Sequence, residues 1–206
     1  MRTTPGPWQW FAAGAVAFPL VVLLQELGHY VAAVAVGFRD VRLHFMSVSS
    51  PDLELLWSRF AAERVAGGTA PVSWKAVLPI AAGVGFTYLT ILGSCVVVAC
   101  RRAYPVIVWL GFAAPLRFYF SASAALAWLS GQAPVLTAED DSRLGVARGL
   151  HPGALVGVGI VVSLVASVWL VSRIRYHPMT ALLFGSVGVV SGMVLYGGVI
   201  GPLLLP

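Results

Sequence analysis

Apolar and polar positions alternate in this chain on the scale of whole membrane spans. Five apolar runs of membrane length, 11–38, 76–100, 103–130, 153–171 and 179–205, are separated by polar stretches, of which 39–75 and 131–152 are the longest. A helix needs about 20 mostly apolar residues to cross a hydrocarbon core of about 30 Å. The pattern therefore predicts an all-α polytopic membrane protein with about five transmembrane helices in a single membrane domain. At 1.5 Å per residue the first run is about 42 Å long, so it is expected to tilt or protrude. Pro19 is placed to kink it. The third run is expected to be interrupted at Pro115-Leu116-Arg117.

The stretch 39–75 carries Asp40, Arg42, Asp52, Glu54, Arg59, Glu63 and Arg64. Within it 41–48 alternates apolar and polar as far as Phe45, the pattern of a half-buried strand, a re-entrant segment or a surface hairpin. Positions 53–65 predict a short interfacial helix ended by Gly67-Gly68. Composition agrees with the membrane assignment. At 59% hydrophobic and 10% charged residues, with a mean hydropathy of +0.88, the chain is too apolar for an ordinary soluble domain.

The net charge of +5 comes from scattered arginines and a single lysine, Lys75. No basic run is dense enough for nucleic acid, so membrane lipids are the expected contact. Stretches 39–75 and 131–152 together hold seven Lys or Arg against five on the other side. That margin favours a cytoplasmic location for them, with the N-terminus outside. Cys95 and Cys100 are five residues apart on one predicted helix and face different ways, which fits packing rather than a disulfide. Gly188-x-x-x-Gly192 and Gly197-x-x-x-Gly201 predict helix contact faces, within the chain or in a homo-oligomer.

Candidate chemistry lies in the first run, whose uncharged flanks put Gln25-Glu26-Leu27-Gly28-His29 at membrane depth. An acidic residue there costs about 2.5 kcal/mol or more on insertion scales, so it marks a functional site by default. On a helix Gln25, Glu26 and His29 share one face. Their spacing is that of His-Glu-x-x-His, in which two imidazoles hold zinc and the Glu is general base, with Gln25 at the first His position.

Gln25-Glu26-Leu27-Gly28-His29-Tyr30 resembles the His-Glu-Leu-Gly-His of the site-2 protease family of intramembrane zinc metalloproteases. The segment from Gln132 to Arg143 is similar to that family's later Asp-bearing motif. Asp140 takes the Asp position through Arg143 three residues on, Gln132 takes the Asn position, Pro134 is displaced by one, and Asp141 stands where the family has Gly. The resemblance implies zinc held by His29 and Asp140, with Gln25 at a degenerate ligand position and Glu26 as catalytic base. It also implies a transmembrane protein segment as substrate or partner, held along a short strand or re-entrant segment after the first helix. The plasma membrane of a bacterium is the expected location.

An amide oxygen is a poor zinc ligand beside imidazole, and His44, His151 and Asp141 are candidates to complete the shell. Arg117 stands near the centre of the third run. It is read either as a stabiliser of a substrate carbonyl or, preferably, as a salt-bridge partner of Glu26, Asp140 or Asp141. Glu139-Asp140-Asp141 also fits the start of a helix. Three functions stay open: an active intramembrane metalloprotease, an inactive relative that binds membrane segments or regulates a partner, and a small transporter with an ion path through Glu26, His29 and Arg117.

Overall fold

The computed structural model describes residues 5–65, 72–100, 105–131, 140–151, 153–174 and 177–205. Helix α1 spans Pro7–Ala35, followed by a hairpin of β1 (Arg42–Leu43) and β2 (Val48–Ser49) and by α2 (Pro51–Val65). Then come α3 (Trp74–Cys100), α4 (Pro105–Leu129), the short α5 (Asp140–Ala147) and α6 (Gly153–Ser172). The chain closes with α7 (Pro178–Leu195), a π-helical turn (Tyr196–Ile200) and α8 (Gly201–Leu204). Among the described residues, α1, α3, α6 and the run Pro178–Leu204 are long and apolar enough to cross a membrane. The molecule is the all-α polytopic membrane protein that its sequence pattern predicts.

Several boundaries differ from expectation for identifiable reasons. Pro7, Pro51, Pro105 and Pro178 each begin a helix, where a missing N–H costs nothing and the fixed φ is already helical. Helix α1 passes through Pro19 and α4 through Pro115 without a break, so the expected interruption of the third run is absent. Helix α1 stops at Ala35 instead of 38. Gly37 adopts a left-handed φ of 82°, and the N–H of Phe38 turns back to the Ala33 carbonyl at 3.2 Å. Segments 66–71 and 132–139, which include Gly67-Gly68 and Gln132, lie outside the described residues.

Of the alternatives expected over 41–48 the structure has the hairpin, antiparallel, with Arg42 opposite Ser49 and Leu43 opposite Val48. The chain reverses at 44–47, where the His44 N–H donates to the Ser47 carbonyl at 2.8 Å. Its base is tied by Asp52, in the first turn of α2, which accepts from the Arg39 N–H at 2.8 Å and from its guanidinium at 3.3 Å. These donors hold the Asp52 carboxyl below the usual carboxylate range. Its tip rests on the C-terminal turn. The Phe45 N–H donates to Leu205 O at 3.2 Å, and Tyr196 Oη donates to Phe45 O at 2.9 Å.

Lipid tails are as apolar as the helix surfaces, so these helices associate through close packing and polar contacts more than through hydrophobic burial. The most extensive contact, α1 against α7, is a seam of small residues. Ala181, Gly185, Gly188 and Gly192 are the buried positions of α7, at helical spacing, and Ala13, Gly14 and Ala17 are buried on α1. A Cβ on Gly188 or Gly192 would collide with α1 backbone at Phe11 or Ala15. The expected face at Gly188-x-x-x-Gly192 is thus an intrachain contact. Gly197 meets nothing within 4 Å, whereas Gly201 packs on Phe45. Trp10, Trp109 and Leu170 are buried in the adjoining core, and large aliphatics such as Leu89, Val165 and Leu203 face outward.

Gly192→Val is expected to wedge α1 from α7 and to destabilise the fold by about 1–3 kcal/mol, the usual cost of overpacking. Gly93→Ala, on an open helix face, should leave stability unchanged. Thermal unfolding of both variants in detergent checks the contrast.

Candidate functional site

Helix α1 carries its polar cluster slightly beyond its midpoint. Glu26 lies about 8 Å past Val21, well inside the roughly 15 Å half-thickness of the hydrocarbon core. The cluster faces protein. Glu26 is 8% exposed, and Gly28 lets α1 approach α3 so closely that a Cβ there would come within 2.9 Å of the Ala82 carbonyl oxygen. One residue on, the imidazole of His29 lies directly against Gly83 of α3, in space that any Cβ on Gly83 would fill. Glycine at both positions is what lets a histidine fit between two packed helices.

His29 Nδ1 lies 3.0 Å from the Pro79 carbonyl oxygen, so this nitrogen carries the proton and donates. Nε2 then points at Asp140 Oδ2, 3.3 Å away. Gln25 reaches the same oxygen from one helical turn earlier, its Nε2 also 3.3 Å distant. On its other side the Gln25 amide meets Thr87 Oγ1 at 3.2 Å, and that hydroxyl is also 3.3 Å from the Gly83 carbonyl. Asp140 and Asp141 form the first turn of α5, so the expected helix start and the expected meeting with His29 occur together. Glu26 lies within electrostatic reach of both His29 and Asp140, and Tyr196 within reach of Glu26.

With Nδ1–H engaged, a neutral His29 turns a lone pair toward a carboxylate, and two acceptors at 3.3 Å repel. A cation must lie between them, either a proton on Nε2 or a metal ion. The 3.3 Å separation fits either, for the Arg39–Asp52 ion pair has the same length. Two ligand atoms each about 2.0–2.1 Å from a tetrahedral zinc stand about 3.3–3.4 Å apart. The Nδ1–H bond to a backbone carbonyl is also the support that metal-bound histidines usually have.

The donor set is thin but fits a divalent cation. Among the described residues no three His, Cys, Asp or Glu side chains form a metal-binding group, and the further donor beside the His29–Asp140 contact is the Gln25 amide. Thr87 permits this. When its hydroxyl donates to Gly83, its oxygen can accept from the Gln25 NH2, and the amide oxygen then turns toward Asp140 and His29.

The other expected donors are committed elsewhere. His44 stays in the hairpin, 2.8 Å from Ser49 Oγ, and His151 Nδ1 accepts from the Gly153 N–H at 3.1 Å. Asp141 points away from His29 and is bonded to Arg117, which settles on the salt-bridge reading of that arginine. Arg143, three residues beyond Asp140, lies 5.7 Å from the Trp57 ring of α2. Thr87, Gly83, the Pro79 carbonyl and Tyr196 belong to the site without having stood out in the sequence. Thr87 reads there as a packing residue, and its hydroxyl at membrane depth was the one available signal.

Compared with known proteins, the chain matches no family model, no curated protein and no solved structure.

Gly83→Ala is expected to keep α3 helical while its Cβ displaces the His29 ring. The 15N resonances of His29 should lose the signature of the Nδ1–H bond, and metal affinity should fall by roughly 10–100-fold, as for other lost supporting contacts. Unchanged resonances would contradict this placement of the ring.

Proposed function

We propose that this chain is a site-2-protease-like intramembrane metalloprotease whose metal rests on one imidazole, one carboxylate and one side-chain amide: His29, Asp140 and Gln25. The observation that carries the reading is the meeting of His29 Nε2 and Asp140 Oδ2, 3.3 Å apart, from helices 111 positions apart in sequence, with Gln25 reaching the same carboxylate oxygen. When bound, a zinc ion would polarise the scissile carbonyl and bring the pKa of a coordinated water to about 7. Glu26, buried on the same face of α1, is the group to take a proton from water and pass it to the leaving amine. Helices α1 and α3 keep bulk water from the cluster. The hairpin β1–β2 supplies a short edge for an extended peptide. In this reading α4 is the fifth span, and the substrate is a membrane-embedded protein segment met in a bacterial plasma membrane.

A second reading is favoured by one specific contact. Gln25 Nε2 can donate to Asp140, and with a proton on His29 Nε2 the cluster is satisfied without metal. The chain would then be an inactive relative that binds membrane segments or regulates a partner. The ion-path reading has less support, because Arg117 is engaged by Asp141.

Elemental mass spectrometry of protein purified with supplied zinc separates the first two. About one zinc per chain, lost in His29→Ala and in Asp140→Ala, is expected. Glu26→Gln should retain the metal and lose cleavage of a transmembrane-segment substrate in liposomes by about 100-fold or more, the scale of a missing general base. Zinc at the level of the two alanine variants would overturn the metalloprotease reading.

A further inference from the structure

Arg117 is the midpoint residue of α4, and Asp141 the second residue of α5. Both are nearly inaccessible, at 6% and 2% exposure. Two pairs of atoms meet: Arg117 Nε donates to Asp141 Oδ2 at 3.2 Å, and Arg117 Nη2 lies at ion-pair distance, 2.8 Å, from Oδ1. A planar guanidinium on a carboxylate in this manner fixes distance and orientation together, which a single point charge does not. Two further elements close on the same spot. The Tyr88 ring of α3 lies 5.6 Å from the guanidinium carbon. Helix α6 passes so near at Gly159 that a Cβ there would come within 2.8 Å of Tyr88 Oη and 3.0 Å of Asp141 Oδ2.

Asp140 and Asp141 are neighbours on α5, and successive helical side chains point about 100° apart. One carboxylate therefore faces α1 while the next faces α4 and α6. A helix of eight residues held at Asp141 has little freedom left to rotate or slide, and Asp140 is carried with it. The requirement is strict, since site geometry has to be held to about 0.5 Å. Breaking so buried an ion pair also leaves one charge uncompensated, so its function must be separated from its contribution to stability.

We infer that Arg117 is a positioning residue: its fork on Asp141 sets the place of α5 and so delivers Asp140 to His29 and Gln25. This rests on the metal site proposed above, and it names a residue that acts through Asp141. It also accounts for an acidic residue directly after Asp140, where a glycine could not be gripped.

The test uses full-length protein in nanodiscs and compares wild type with Arg117→Lys and with the neutral pair Arg117→Gln plus Asp141→Asn. Arg117→Lys keeps the charge and loses the fork, and the neutral pair removes the uncompensated charge. Two readouts are taken on the folded fraction of each variant, at a temperature below its unfolding midpoint. The first is Co2+ affinity from its visible absorption, expected to fall by roughly 10–100-fold, the usual effect of losing a support for a ligand. The second needs no metal: the rate at which a short bis-methanethiosulfonate reagent, which releases one sulfinate at each thiol it joins, links Q25C to D140C, in a background of Cys95→Ala and Cys100→Ala. That rate is expected to drop severalfold when Arg117 is changed. Wild-type affinity and wild-type linking in both variants would overturn the inference, as would a loss of thermal stability with linking unchanged in the folded fraction. Absence of Co2+ binding in wild type would overturn the metal reading, and the linking rates would then decide the positioning role alone.

Discussion

The rest of the structure depends on one constraint: polar side chains carried to membrane depth must find their partners inside the protein. Gln25, Glu26 and His29 enter the bilayer on one face of α1, and the hydrogen-bond partners of Gln25 and His29 lie on other helices. Helix α3 supplies a backbone carbonyl at Pro79 and a hydroxyl at Thr87. Helix α5 supplies the Asp140 carboxylate to both Gln25 and His29. That carboxylate brings its neighbour Asp141, which requires a cation of its own, and α4 provides it as Arg117. One polar face on the first helix is in this way linked to three others.

Small residues make this wiring possible. Gly28 and Gly83 let α1 and α3 close on the imidazole, Gly159 admits the Arg117–Asp141 pair beside α6, and the glycine seam of α7 presses α1 from the other side. In lipid, where burying more aliphatic surface gains little, such close approaches are the main source of cohesion. The abundance of glycine in this sequence is therefore structural rather than a sign of loops. The C-terminal turn extends the same logic, with Gly201 receiving Phe45 while Tyr196 holds the hairpin tip by its carbonyl.

Membrane-length periodicity made the helices legible, and the motif spacing on α1 made the site legible before any coordinates. Asp140 matches the motif through Arg143, whose guanidinium carbon lies 5.7 Å from the Trp57 ring. What escaped was contact across helices. Thr87 and Tyr196 sit on apolar runs with no periodic signal of their own, and only the packing of α3 and the C-terminal turn against α1 brings them near Glu26 and Gln25. The partner of Arg117 was one of three acidic candidates because charge alone does not choose between neighbours on a helix. Strand, re-entrant segment and hairpin all stayed open over 41–48 because alternation says nothing of where a chain reverses. Helix starts moved because proline marks a first turn as readily as a loop.

The central claim is that a divalent cation sits between a single imidazole and oxygen donors. Zinc-edge X-ray absorption of the purified protein reads that directly. The expected spectrum has a first shell of nitrogen and oxygen at about 2.0–2.1 Å with the outer scattering of one imidazole. A shell with two or more imidazoles would contradict the claim, as would zinc bound only as a fully hydrated ion.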